Sequence, residues 1–188
     1  LFIMKDYYTL EVAGLKRDLP LCRIHDDLYI AAFVMFSDVE LTCSCARELL
    51  KLAPEHDIMI TAESKGIPLI HEMARQEGVN DYIVARKGPK LYMQNVIYTE
   101  VNSITTEKKQ VLCIGSKEAE LMRGKRVLII DDVISTGESL LAIETLVKQV
   151  GGNIVGRMAV LAEGDAAERK DIKCLAPLPL FKGDGTPI

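Results

Sequence analysis

Short runs of apolar residues recur along this chain, and stretches with helical periodicity separate them. Ile58–Ala62, Arg126–Ile130 and Ile154–Leu161 are apolar at nearly every position. A strand with one wet face alternates apolar and polar residues, whereas a strand covered on both faces reads as a continuous apolar run. Strands of the second kind, with amphipathic helices between them, predict an α/β fold with a mainly parallel central sheet flanked by helices.

The connecting segments carry their own signals. Residues 19–36 read as short strands around an acidic turn at Asp26-Asp27. Ser37 followed by Glu40 has the spacing of a capping box and opens a helix that runs to about Leu52, before Pro54. A Glu63-Ser64-Lys65-Gly66 turn follows the first buried strand, then a helix through Gln76 that Gly78 ends. Tyr82–Ala85 is a second short strand, and Arg86-Lys87-Gly88-Pro89-Lys90 is a basic turn. Residues 96–114 alternate as a hairpin does, with a polar tip at 105–109. Residues 115–125 read as loop, 131–139 as a turn, 138–150 as a helix, and the proline-bearing tail 173–188 as edge strand or coil.

Composition narrows the function classes. At 188 residues the chain fits one domain, 1–188, with a sizeable core and no need of a disulfide or metal staple. A net charge of -4 gives no general attraction to nucleic acid or to an anionic membrane, so any bound anion needs a local site. Trp is absent and aromatics are 5%, which argues against a base-stacking platform for single strands. The five cysteines include no zinc or thioredoxin spacing, which points to a reducing cytoplasm. Leu1–Asp6 carries no leader-like apolar region, and no apolar run approaches a bilayer span.

The chemistry concentrates in RVLIIDDVISTGES, residues 126–139. Ligands of open α/β sheets bind beyond the carboxyl ends of strands, and a helix start offers N–H donors to an anion there. Gly137 lets backbone approach a phosphate closely, and Thr136 and Ser139 add hydroxyls. Two carboxylates beside a phosphate make sense if they accept hydrogen bonds from a diol while a divalent cation balances the charge. That combination suits a ribose 5-phosphate. Neither a Walker loop nor a GxGxxG loop is present.

IIDDVISTG resembles the phosphoribosyl-pyrophosphate signature of the type I phosphoribosyltransferases, and the likeness extends over about residues 24–181. The resemblance implies that Asp131 and Asp132 take the ribose, with Mg2+ held indirectly through substrate or water. Ser135, Thr136, Gly137, Glu138 and Ser139 then take the 5-phosphate. Glu63, Ser64, Lys65 and Gly66 match the family's pyrophosphate loop, where a cis peptide is expected between Ser64 and Lys65. Arg86, Lys87 and Lys90 match a basic turn that neutralises pyrophosphate, although Gly88-Pro89 departs from the usual order and weakens the case for Lys90. Residues 96–114 match a flexible loop that closes over the site. A small hood, from 19–36 plus 173–188, supplies a base slot with Leu28, Tyr29 and Ile30 as contacts.

The family resemblance implies a homodimer and transfer of phosphoribosyl to a purine, with no nucleic-acid or membrane partner. Adenine, giving AMP in purine salvage, is favoured by the closing LAPLPLF at 175–181 and by the basic turn. Oxopurine enzymes commonly place a Lys where this chain has Ala162-Glu163-Gly164-Asp165, and the xanthine hood carries Asn where Tyr29 stands. Against adenine, Thr105 occupies the place of a loop Glu, and Glu107 is the expected substitute as proton donor, with Glu100 as the other choice. Xanthine or another purine remains the alternative substrate. A phosphoribosyl-pyrophosphate-sensing regulator is the alternative class, and it would need a DNA-binding module and a basic face.

Overall fold

The computed structural model describes residues 6–101 and 110–188. Five parallel strands form its centre: β4 (Ile58–Ala62), β5 (Ile83–Ala85), β8 (Arg126–Ile134), β9 (Asn153–Glu163) and β10 (Lys173–Leu178). Their order across the sheet is β10-β9-β8-β4-β5. From β4 the chain steps outward to β5, but from β8 it steps the other way to β9. The sheet is therefore doubly wound, with its topological switch between β4 and β8, where such folds bind ligands.

Alternate side chains of the strands feed two cores. Ile58, Ile60, Val127 and Ile129 point to one face, covered by α4 (Glu138–Gln149), α3 (Ser116–Met122) and a hairpin of β6 (Ile97–Val101) with β7 (Gln110–Ile114). Met59, Leu128, Ile130 and Met158 point to the other, under α1 (Val39–Leu52) and α2 (Ile67–Glu77). Burial on both faces explains why these strands read as continuous apolar runs. All five cysteines are free thiols, and no described helix is long and apolar enough to cross a membrane.

A separate antiparallel sheet, β1 (Tyr7–Val12), β2 (Leu15–His25) and β3 (Leu28–Ala31), forms the hood. It begins at Tyr7, earlier than the expected residue 19. Its C-terminal contribution begins at Phe181, because Lys173–Leu178 pairs with β9 as the edge strand of the central sheet. Phe181 and Tyr29 exchange both backbone hydrogen bonds, at 2.8 and 2.9 Å, and Gly183 N donates to Asp27 Oδ1 at 2.7 Å.

Three local expectations are corrected. Residues 115–125 contain helix α3, because Ala119 and Met122 find the core and the Glu118 carboxylate accepts from Gly115 N at 3.0 Å. Strand β8 continues to Ile134, so Asp131 and Asp132 lie in the strand and the turn begins only at Ser135. The cap of α1 is Asp38: its carboxylate accepts from Leu41 N at 3.0 Å while Arg17 Nε donates to it at 2.7 Å. Ser37 sits at φ +65°, inside the turn, where it cannot cap. Replacing Asp38 by Ala should therefore cost about 1–2 kcal/mol of stability in urea denaturation, against about 0.5 kcal/mol or less for Ser37→Ala.

Candidate functional site

The site follows from where two strands part. Pairing of β4 with β8 ends at Ile60–Ile129, while pairing of β8 with β9 continues to Ile134–Ala162. Beyond Ile129 the β4 side of β8 is open, and Asp131 and Asp132 lie along that edge. They are 8% and 4% exposed, unusually low for carboxylates. Asp132 N donates to Asp131 Oδ1 at 2.9 Å, which fixes the first carboxylate. Asp132 Oδ2 is buried with no hydrogen-bond partner among the described residues; the Lys65 ammonium stands 3.5 Å away.

Burial, and then the negative charge of Asp132, push the Asp131 carboxyl well above its ordinary value, with Lys65 opposing. Two adjacent acids with an unsatisfied oxygen fit a pair of hydroxyl donors or a hard cation. No cluster of three or more metal-ligating side chains occurs among the described residues, so a cation here would take most of its ligands from substrate or water.

On the amino side of this pair, the loop after β4 places Lys65 and Gly66. Lys65 Nζ donates to Phe33 O at 2.9 Å, so its ammonium is held over the crevice. Gly66 is required by close approach: a Cβ there would lie 2.9 Å from Thr61 Oγ1 and 3.3 Å from Asp131 Oδ1. Ser64 Oγ accepts from Gly66 N at 3.2 Å. The Ser64–Lys65 peptide is trans, contrary to expectation. The trans form is favoured by about 3 kcal/mol for a non-proline bond, and here it already delivers Lys65 to the crevice.

Glu63 faces the basic turn. Its carboxylate accepts from Arg86 Nη2 and from Lys87 N, both at 2.9 Å, with Lys90 Nζ at 3.9 Å. Arg86 first, then the Lys87 amide, hold the Glu63 carboxyl down at about 2. Glu63 therefore ties the basic turn to the loop after β4, and its carboxylate is taken up by these cations. Arg86 is further held by Tyr92 and by backbone exchange with Cys113, and the exposed Lys87 ammonium makes no ion pair among the described residues.

On the other side, residues 133–140 together with Asp131 enclose a cavity of about 50 Å³ at the start of α4. Ser135, Thr136, Gly137, Glu138 and Ser139 all line it. Gly137 adopts φ +82°, a left-handed geometry that favours glycine, and the Arg169 Nη1 atom lies 2.9 Å from where its Cβ would be. Asp171 holds that guanidinium at 2.8 and 3.0 Å.

A larger cavity, about 590 Å³, opens from Ser135 and Thr136 toward the hood. Leu28, Ile30 and Leu180 line it, with Glu163 on its wall. Tyr29 does not, because strand alternation turns it away from its neighbours; it packs in the second core and pairs with Phe181. Thr61, Glu163, Arg169 and Leu180 join the site unforeseen. The signal available for Glu163 was its place at the carboxyl end of the strand next to β8. Glu107, with Thr105, lies outside the described residues, and Glu100 sits at the end of β6.

Because the folded state binds the Asp131 proton more tightly than the unfolded chain, its ionisation opposes folding, and stability falls as pH rises from 3.8 through the raised value. Asp131→Asn should accordingly melt above the parent protein at neutral pH, by about 2–4 °C per kcal/mol relieved, and the gap should close toward pH 3.8. Thermal melts across pH check this.

The phosphoribosyl transferase domain family matches residues 45–178. Among curated relatives, the hypoxanthine/guanine phosphoribosyltransferase of Methanosarcina mazei is 34% identical over 109 residues, 58% of this chain and 53% of the relative. The adenine phosphoribosyltransferase of Drosophila pseudoobscura pseudoobscura is 30% identical over 142 residues, 70% of this chain and 72% of the relative. The xanthine phosphoribosyltransferase of Lactobacillus acidophilus is 30% identical over 128 residues, 67% and 66%. The chain spans 53% to 64% of the length of three Methanosarcina relatives it matches. Among solved structures, adenine phosphoribosyltransferase from Rhodothermus marinus superposes with TM-score 0.62 at 20% identity, covering 92% of this chain and 94% of that one. The enzyme from Leishmania donovani gives 0.66 at 20% identity, covering 92% and 76%. At such identities the structural likeness is one of fold. The sequence match across 45–178 and a relative aligned over 72% of its own length carry the assignment further: this chain belongs to the phosphoribosyl transferase domain family.

Proposed function

We propose that this protein is a purine phosphoribosyltransferase: it joins a purine base to phosphoribosyl pyrophosphate and releases pyrophosphate, with adenine the favoured base and AMP the product. The observation that carries this reading is the buried pair Asp131 and Asp132 between a small cradle at 133–140 and the Lys65 ammonium. A donor with a phosphate at one end, two vicinal hydroxyls in the middle and a pyrophosphate at the other has the matching sequence of groups.

In this mechanism the cradle holds the 5-phosphate at the start of α4, where backbone N–H groups and the helix dipole favour an anion. Arg169 adds positive charge at the same end. Asp131 and Asp132 accept hydrogen bonds from the ribose hydroxyls. As the bond from the anomeric carbon to pyrophosphate breaks, the sugar becomes cation-like, and the carboxylates lie where that charge spreads. Lys65 and Lys87, with the turn that Glu63 organises, stabilise the charge growing on pyrophosphate, and they do so without reorganising. Bound Mg2+ would neutralise pyrophosphate oxygens, with Asp131 and Asp132 as its indirect protein ligands. The purine enters the cavity between Leu28, Ile30 and Leu180. Glu107 is the proposed proton donor to the base, on a loop proposed to exclude water.

Adenine is supported by the cavity wall, which presents Glu163 and, among the described residues, no lysine. The relatives carry adenine, xanthine and hypoxanthine/guanine names, so the base is tested directly. Adenine, guanine, hypoxanthine and xanthine, each incubated with donor and Mg2+, should give nucleotide and pyrophosphate fastest with adenine. No nucleotide from any of the four would overturn the reading. Asp132→Asn should reduce kcat by about 100-fold or more, the scale of losing one preorganised electrostatic contact.

A homodimer is part of the same proposal. Val34, Phe36 and Val39 leave apolar side chains exposed on the α1–α2 side, and such a patch marks association. Light scattering should report about twice the 20.8 kDa chain mass; a monomer at assay concentrations would remove pairing from the reading.

A further inference from the structure

A side chain from outside the small cradle reaches its glycine. Arg169 belongs to the segment between β9 and β10, and its Nη1 atom lies 2.9 Å from the point where a Cβ on Gly137 would be. Its other edge is already taken: Nε and Nη2 donate to the two oxygens of Asp171 at 3.0 and 2.8 Å. A guanidinium gripped along one edge by a carboxylate is held in one plane, and Nη1 is the nitrogen left over. Nη1 makes no hydrogen bond among the described residues.

The surroundings keep this arrangement in place. Ala166 and Ile172 are buried in the first core on either side of the pair, and Arg169 N donates to Ala166 O at 3.2 Å. A second guanidinium, Arg157 of β9, stands 3.8 Å from Asp171 and donates to Glu144 of α4 at 2.5 Å. Charge therefore alternates from Glu144 through Arg157 and Asp171 to Arg169. An anion in the cradle is the next member of that row. The hydrogen bond from Arg169 holds the Asp171 carboxyl below its ordinary value, so it stays ionised at neutral pH.

Stability does not account for the pair. The Arg169 and Asp171 side chains are 37% and 48% exposed, and exposed ion pairs add little to folding. What the contact supplies is order. A long, exposed arginine without its partner has to be immobilised when an anion binds, and that weakens binding. The negative charge of Asp171 acts in the opposite sense on a phosphate, but two guanidiniums answer it and solvent screens it.

We propose that Asp171 is a positioning residue for the donor: it holds Arg169 so that Nη1 meets the 5-phosphate at Gly137. This inference rests on the purine-transfer reading above and deepens it. Contact with the phosphate belongs to Arg169, and Asp171 acts only through it.

The test is a double-variant cycle on the full chain, read as the Kd of ribose 5-phosphate. Inorganic pyrophosphate with Mg2+ is the control ligand, and donor KM, kcat and melting curves are measured alongside. Arg169→Gln should weaken ribose 5-phosphate by about 30-fold, the scale of one charge-assisted hydrogen bond. Asp171→Ala should weaken it by about fivefold, the scale of ordering one long side chain. That loss should appear in donor KM rather than in kcat, because the 5-phosphate is held alike before and during reaction. In the Arg169→Gln background Asp171→Ala should cost nothing further, and Asp171→Glu, which keeps the carboxylate, should recover most of the loss. Pyrophosphate binding and the melting curve of Asp171→Ala should match the parent protein.

Unchanged or tighter ribose 5-phosphate binding in Asp171→Ala would overturn the inference and leave purine transfer standing. The same loss in both backgrounds would do so too, since Asp171 would then act without Arg169. Equal weakening of pyrophosphate with a lowered melting temperature would mark a structural role and overturn it as well. A parent protein that binds neither ribose 5-phosphate nor the donor would bring down the inference and the underlying reading together.

Discussion

Negative charge held at the edge of a buried strand is the constraint around which the rest of this protein is arranged. Strand β8 outruns β4 after Ile129, and the two residues exposed to the gap are Asp131 and Asp132. An interior acid pair is unfavourable in isolation, because burial and mutual repulsion both oppose ionisation. Lys65 offsets part of that cost from across the crevice. It can do so only because Gly66 has no side chain to hold the two loops apart. A sheet that paired β4 with β8 to the end would bury this edge and leave no site.

The positive side of the crevice is organised by an acid. Glu63 gathers Arg86, the Lys87 amide and Lys90 around one carboxylate, which sets the turn against the loop after β4. A row of basic residues read as charges alone suggests equal anion contacts. The geometry separates them: Arg86 is locked between Glu63 and Tyr92, whereas the Lys87 ammonium stays exposed. Preorganisation of this kind makes a cationic turn effective, since its groups need no rearrangement when charge develops.

The buried strands and the acid pair were legible in the sequence because each rests on a local pattern. Ile58–Ala62 is apolar at every position but Thr61 and is a strand at those bounds; Gly78, past the periodic stretch, ends α2 in a left-handed conformation. What was illegible depends on partners distant in sequence. Asp38 displaces Ser37 as the cap because Arg17, on β2, reaches it. Helix α3 is short and polar on most positions, and only the core contacts of Ala119 and Met122 make it a helix. The pairing of Glu63 with Arg86, 23 residues on, shows only in space. Tyr29 looked like a base contact because a sequence does not say which side of a strand faces a cavity.

The hood is stitched to the far end of the chain. Asp27 and Gly183, 156 positions apart, are joined by a hydrogen bond, and Tyr29 and Phe181 bond nearby through their backbones. Leu28, Ile30 and Leu180 line the large cavity from these same two segments. During synthesis Asp131 and Asp132 emerge well before Leu180 and Phe181, so the wall that Leu180 gives the large cavity forms only after the strand carrying the acid pair. A chain interrupted before Leu180 would keep the strand that carries the acid pair and lack one wall of the larger cavity.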